Sequence, residues 1–379
     1  MSDGNATMAR RRLGRTGLEV SVIGIGTIRF GGKITRAEGA EALGRALDLG
    51  CNFVDTAHCY AKGASESAVG DALQGRTRAD VHIQTRSERR APEQVDEDID
   101  TSLERIRTDY LDVFQLHDVT KPEHYQKALA DGLPEVLQKA KADGRIRWTG
   151  ISTHGSPELI CEMIRSGLFD VITIAYNLIG HKRSSSDGDD HARTREEVLP
   201  CAAEHDVGVT VMKPLGGGVL GGPSEEIRRL LENRPPAERP STTALSALLF
   251  AVADPRIHTV TPGVESVAEV EEDVLAGDPG CALSAEEVAM LLAEAAKWRE
   301  DHCHFCGYCL PCPNGVPIPD VMRCEEYATR YGLADWARER YGKLRVKADA
   351  CTECGECLEK CTNHLAIPER MKKAHALLG

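Results

Sequence analysis

Aromatic side chains are scarce in this chain: 3 Trp, 6 Phe and 8 Tyr make up 4% of 379 residues. Its core must therefore be built mainly from aliphatic residues. The 41% hydrophobic and 28% charged content is that of an ordinary globular protein. No apolar run approaches the roughly 20 residues of a membrane-spanning helix. The opening MSDGNATMARRR lacks the apolar segment of a secretory leader, so none is expected. A surplus of positive charge is missing too, since 46 Lys+Arg face 59 Asp+Glu for a net −13. The one basic cluster, Arg10-Arg11-Arg12, is too short to reverse this. These absences exclude a nucleic-acid surface and a membrane anchor, and point to a cytoplasmic protein.

Cysteine is abundant instead. There are 14, and nine of them follow residue 300. In a leaderless acidic chain disulfides are rare, and clustered cysteines more often hold metal. A metal-binding C-terminal module on a larger body is therefore expected.

The larger body shows eight short apolar runs: Val20–Gly26, Asn52–Asp55, Val81–Thr85, Leu111–His117, Ile146–Ser152, Asp170–Ala175, Gly208–Met212 and His258–Pro262. Amphipathic stretches such as Arg36–Leu49, Pro92–Ile106, Pro157–Ser166 and Val267–Ala276 follow them. Strands alternating with helices imply a parallel sheet, and eight such units are the size of a (β/α)8 barrel. A doubly wound open sheet is the alternative, weakened because no GxGxxG follows the first strand. The polar segments His181–Thr194 and Asn233–Thr243 read as loops, either surface insertions or a lid over a site. Leu283–Asp301 reads as one helix, with Ser284 as N-cap and Glu287 completing a capping box. The expected organisation is a barrel over 13–282, a connecting helix over 283–301 and a mainly helical cysteine-rich domain over 302–379.

The cysteine runs are Cys303-x2-Cys306-x2-Cys309-x2-Cys312-Pro313 and Cys351-x2-Cys354-x2-Cys357-x3-Cys361. Three thiolates at two-residue intervals can surround one cuboidal cluster, and geometry then favours a fourth thiolate from the other run. The pattern resembles the two-cluster bacterial ferredoxins. That resemblance implies one [4Fe–4S] cluster on Cys303, Cys306, Cys309 and Cys361, and a second on Cys351, Cys354, Cys357 and Cys312. Two features depart from it: the first run ends on a two-residue spacer, and Thr362 stands where a proline is expected. The helical pattern of Asp320–Gly342 argues for a helical module. A pair of zinc sites is the competing reading, with disulfides behind it. Cys51, Cys59, Cys161, Cys201, Cys281 and Cys324 are isolated and read as small buried residues. Cys59 alone lies beside a suspected catalytic residue.

The segments LGRTGLEVSVIGIGT, NFVDTAHCY with Ser65-Glu66, and YLDVFQLHD occur in order at successive strand ends. Over about 13–280 they resemble the aldo-keto reductase family. Joined to the cysteine module, the chain resembles the ferredoxin-type members of that family. The resemblance implies a carbonyl reductase site in which Asp55, Tyr60 and His117 match the family's aspartate, proton-donating tyrosine and substrate-pocket histidine. A phenol can serve as acid near neutrality if its pKa, normally about 10, is lowered. Arg86 replaces the family's lysine, either keeping the Tyr60 pKa low or gripping an anionic substrate. Arg89 and Arg90 read as solvated loop charge.

The implied nicotinamide site departs further. Ser152, Thr153 and Thr173 stand for a Ser-Asn pair and a Gln, and Met212 for a stacking aromatic. Lys213 and Gly217, within Gly216-Gly217-Gly218, follow on the same loop, whose backbone could cradle a diphosphate. Gly263 and Glu269 occupy positions that are basic in the family, Glu272-Asp273 replaces a Glu-Asn pair, and nothing basic occurs between Pro262 and Asp273. NADH is therefore expected over NADPH, if a nicotinamide binds.

The leading expectation is redox chemistry on a small polar carbonyl- or hydroxyl-bearing substrate, with two clusters carrying electrons, from a redox partner protein if one exists. A cluster-driven or redox-neutral enzyme, such as a dehydratase or epimerase, is one alternative. A non-catalytic redox sensor or electron-transfer subunit is another.

Overall fold

The computed structural model describes residues 8–180, 190–216, 218–221, 225–235, 238–300, 303, 309–329, 333–361 and 364–379. Gly217 and Cys306 lie outside the described residues.

A short antiparallel hairpin, β1 (Arg10–Arg12) and β2 (Glu19–Ser21), opens the chain. Eight parallel strands follow: β3 (Ile25–Gly26), β4 (Phe53–Asp55), β5 (His82–Ser87), β6 (Leu111–Leu116), β7 (Ile146–Thr153), β8 (Val171–Ala175), β9 (Gly208–Met212) and β10 (Thr259–Val260). They pair in sequence order, and parallel bridges Ile23↔Val260 and Gly26↔Gly263 bring the two ends together. The result is the (β/α)8 barrel, not the open sheet. Val20–Gly26 is divided rather than continuous, because β2 belongs to the hairpin. Gly24 packs where a Cβ would lie 2.8 Å from Phe53 O.

The basic cluster is structural. The Arg11 guanidinium donates to the carbonyls of Val252, Asp254 and Ile257, and Arg12 pairs with Asp206. Leu13, Val20, Phe53, Val113 and Val171 form an apolar cluster on this hairpin and the strands it meets.

Helices Arg36–Asp48, Pro92–Ile106 and Pro157–Arg165 fall where amphipathic patterns place them. Apolar residues on their inner faces, such as Leu43, Ile99 and Ile160, join the main core around the sheet. Ser284 Oγ accepts from Glu287 N, and Glu287 Oε2 accepts from Ser284 N, so the capping box starts helix Ala285–Glu300 as its sequence indicates. The two expected loops are different in kind. The described end of the first is helical from Asp190. In the second, Arg234 is buried and donates to Cys281 O and Ala282 O and pairs with Glu287. The start of that segment is thus pinned, because Arg234, at 7% exposure, has its fork tied to backbone carbonyls.

Beyond the barrel, helices Ile318–Thr329, Ala334–Gly342 and Ile367–Leu378 enclose a separate core of Val321, Met322, Tyr341 and Met371. Among the described residues no helix is long and apolar enough to cross a membrane.

Candidate active site

The barrel interior beneath the site is polar. Strand side chains alternate in direction, so Gln84 and Arg86 share a face of β5, and Gln115 and His117 share a face at the end of β6. Gln84 Nε2 donates to Asp55 Oδ1 at 2.6 Å. Gln115 donates to Gln84 Oε1 at 3.0 Å and accepts from Thr173 at 2.9 Å, and Thr173 meets Thr210 at 2.6 Å. This buried net fixes one carboxylate oxygen of Asp55. Sequence reasoning missed Gln84, Gln115 and Thr210. Their signal was position: each lies on the interior face of a strand where aliphatics are usual.

The other Asp55 oxygen accepts from Arg86 Nη2, and Arg86 Nε donates to Thr56 O at 3.1 Å. Arg86 is 1% exposed, and its Nη1 is buried with no hydrogen-bond partner among the described residues. Burial pulls the guanidinium pKa down, but Asp55 and Tyr60 outweigh it and the net shift is upward. Burial raises the Asp55 carboxyl, against the pull of Arg86.

Tyr60 sits at the start of a turn in which Ala61 and Lys62 take left-handed backbone, φ 47° and 56°. Such conformations cost energy for residues with a Cβ and cluster at functional sites. The Tyr60 ring stands edge-on to the His117 imidazole, centroids 5.9 Å apart, with Arg86 Cζ 6.0 Å from its centre. The phenol is not acidified in this state. Burial pushes its pKa up and Arg86 only partly opposes the rise, because Asp55 already neutralises much of that cation's field. Tyr60 is therefore a held proton, suited to donation. His117 is pushed down to about 3 by burial and then by Arg86, so it is neutral near pH 7.

Arg90 corrects an expectation. It is only partly solvated, since it is half-buried, donates to Glu88 O and to His117 O, and ties two strand-end loops together. Arg89 is more exposed and faces Glu97 and Asp98.

The residues implied for nicotinamide stand at the same barrel mouth but are largely committed elsewhere. Ser152 Oγ accepts from Asp118 N, and Thr153 Oγ1 donates to Val119 O. Thr173 belongs to the polar net. Met212 is half-buried at the end of β9. Lys213 follows it in left-handed backbone, its Nζ 3.2 Å from His154 Nε2. Gly263 lies against Gly26, and Glu272 accepts from Ser241. The local absence of cations after β10 is made up from another loop. Lys33 and Arg29 pair with Glu265 at 2.8 and 3.5 Å. Contacts across the closed ring are invisible to a window from Pro262 to Asp273.

In the C-terminal part, Cys309, Cys312, Cys351, Cys354 and Cys357 line one concavity, with Val316, Ile367 and Met371 as its apolar wall. Cys312 thus meets the second run. Burial raises the Cys357 thiol, and Cys351, Cys354 and Cys312 raise it further. Cys303 N donates to Glu326 at 2.6 Å, and Cys303 and Cys361 pack on the module core.

A buried Asp–Arg pair, a tyrosine and a neutral histidine at the C-terminal mouth of this barrel define an oxidoreductase of a known kind. Residues 22–293 match the aldo/keto reductase family, and the chain belongs to it. The holo form of aldo-keto reductase AKR11C1 from Bacillus halodurans is 27% identical. It covers 76% of this chain and 96% of its own, at a TM-score of 0.62. L-galactose dehydrogenase of Arabidopsis thaliana is 29% identical over 301 residues, 70% of this chain and 87% of its own. NADH-specific methylglyoxal reductase of Escherichia coli is 27% identical over 241 residues, 57% and 70% respectively. The family match stops at residue 293, before both cysteine runs.

Proposed function

We propose that this protein interconverts a small polar carbonyl compound and its alcohol, using NADH in preference to NADPH, with a C-terminal module that holds two [4Fe–4S] clusters. The observation that carries the catalytic reading is the convergence of Tyr60, His117 and the buried Asp55–Arg86 pair. Tyr60 holds a proton beside the neutral His117, which orients an incoming oxygen by hydrogen bonding. Arg86 steadies negative charge on the phenolate after the proton leaves. A nicotinamide, when bound, supplies the hydride.

Fit differs between the groups. Thr153 and Thr173 spend their hydroxyls on protein partners while Ser152 keeps its O–H to donate, so a carboxamide would meet a sparsely furnished pocket. Weak nicotinamide binding is expected. Support for the NADH preference is local: nothing basic lies between Pro262 and Asp273, and Glu265 offsets one of the two cations, Arg29 and Lys33, that another loop brings there. One relative's NADH specificity agrees with this. The donors suit iron better: Cys312, Cys351, Cys354 and Cys357 line one concavity together with Cys309, which supports thiolate sites that draw on both runs. Cys303, Cys306, Cys309 and Cys361 would hold the other cluster.

Anaerobic protein should oxidise NADH faster than NADPH with small hydroxycarbonyl substrates. Nucleotide titration by calorimetry gives the second readout. Tighter NADPH binding overturns the cofactor preference. Binding of neither, with turnover driven by a chemical reductant, moves the assignment to a cluster-driven enzyme.

A further inference from the structure

A second cluster of ligand-type side chains lies at the barrel mouth: it shares His117 with the chemistry above and adds Cys59 and Glu88, which that chemistry does not use. Cys59 follows β4, Glu88 follows β5 and His117 follows β6, so three adjacent strand ends each contribute one group. Their Sγ, carboxylate oxygen and ring nitrogen all lie within 4.8 Å of one another. We propose that Cys59, Glu88 and His117 form a binding site for one divalent cation of the zinc type, beside Tyr60.

Distance favours this. Zinc binds sulfur at about 2.3 Å and imidazole nitrogen at about 2.0–2.1 Å, so a tetrahedral angle puts the two ligand atoms roughly 3.6 Å apart. Cys59 Sγ and His117 Nδ1 are 3.7 Å apart. Glu88 is exposed and needs only a side-chain rotation to close the third side. The mixed sulfur, nitrogen and oxygen set selects zinc over magnesium or calcium, which prefer all-oxygen cages. Three protein ligands with a fourth position open to water is the composition of catalytic zinc sites.

The protonation states are compatible. His117 is already neutral, as a ligand must be. Burial, and then Glu88, hold the Cys59 thiol at about 11, so without metal it keeps its proton. On binding, the S–H bond breaks, the proton goes to solvent, and the thiolate forms the zinc–sulfur bond. No electrons are transferred. Arg86, Arg90 and Lys213 also face His117, with Asp118 opposing them, so a bare dication would be repelled. One thiolate and one carboxylate neutralise the ion, leaving the local charge of the mouth tolerable. This site is separate from the C-terminal cysteines, and it does not depend on whether a nicotinamide binds.

The test reads Cys59 alone. The full-length protein, prepared anaerobically, is treated with iodoacetamide at pH about 9, where a thiol held at about 11 is about 1% thiolate, for long enough that Cys59 is alkylated without metal. Alkylation of the Cys59 peptide is followed by mass spectrometry with zinc sulfate, with magnesium sulfate, and with chelator. Zinc taken up by the C-terminal cysteines cannot protect this peptide. Zinc should slow Cys59 alkylation by about tenfold or more, chelator should restore it, and Glu88→Gln and His117→Gln should each lose most of the protection. Equal alkylation with and without zinc overturns the site. So does equal protection by magnesium, and so does protection that survives both substitutions.

Discussion

Tyr60 and its neighbours show how burial sets chemistry at single residues. The phenol keeps its proton because desolvation outweighs the nearby guanidinium. Tyr60→Phe should therefore lower turnover by about 10²–10⁴-fold, the usual range for losing a general acid, without unfolding the half-buried turn. Steady-state kinetics with circular dichroism checks this. Arg86 has a second role, since it is the partner of a carboxylate that is 5% exposed. Arg86→Met should destabilise the fold by about 3–5 kcal/mol, because it strands a buried charge. Arg86→Lys keeps the charge and should cost less in a urea melt, while retaining part of the activity. Total loss of substrate binding in Arg86→Lys would instead show that the fork grips an anion. His258 gives a pH signature. Burial holds it down at about 4, and its Nδ1 accepts from Val209 N. The unfolded chain takes up a proton there first, so stability present above the usual 6.5 is lost as pH falls toward 4. His258→Gln should shrink the drop in Tm between pH about 7 and 5.

At the scale of elements, register determines what the site rests on. In β7, Gly150 lies opposite Gln115 of β6 and Val171 of β8. A Cβ there would meet Gln115 Cγ at 2.7 Å and Val171 O at 3.0 Å. The glycine makes room for the glutamine whose amide belongs to the net under Asp55. Gly150→Ala should cost about 1–3 kcal/mol by overpacking. It should also reduce turnover, because the displaced Gln115 loosens Gln84 and with it Asp55. A variant with lowered Tm and unchanged kinetics would show that the net carries stability alone. The loops after β4, β6 and β9 carry left-handed residues, Ala61, Lys62, Asp118 and Lys213. Ala61 and Lys62 come directly after Tyr60, Asp118 after His117 and Lys213 after Met212.

The whole molecule has separate apolar cores, one around the barrel strands and one among the C-terminal helices. The C-terminal core is small and carries cysteines in its wall, so bound metal should supply much of its stability. Anaerobic protein should contain about eight irons with matching sulfide, four per cluster. Cys312→Ser should remove roughly half of that iron, because Cys312 joins the second run across the chain. Chelation should lower the melting of the C-terminal helices while the barrel transition stays. Zinc in place of iron in the native protein would contradict the cluster assignment.

The alternation of apolar runs and amphipathic helices determined a parallel sheet covered by helices, because burying both faces of such a sheet requires that pattern, while closure into a barrel rests on the bridges between first and last strands. Asp55, Tyr60 and His117 were singled out from sequence through the family resemblance, and the fold brings them together because Asp55 ends β4, Tyr60 begins the turn after it and His117 follows β6. The spacing of cysteines marked two sets of thiols, and the fold brings Cys309 and Cys312 of the first run to one concavity with Cys351, Cys354 and Cys357 of the second. Other features needed the closed fold. The polar net of Gln84, Gln115, Thr173 and Thr210 joins four strands, and its meaning lies in their register. Arg29 and Lys33 reach Glu265 only because the ring brings the first loop to the last. The Tyr60 pKa was expected low and is high, because a sequence shows which cation is near but not how far burial and a counter-ion cancel it. The convergence of Cys59, Glu88 and His117 likewise exists only in three dimensions. Local pattern encodes which face is buried, while charge balance and ligand geometry depend on neighbours remote in the chain.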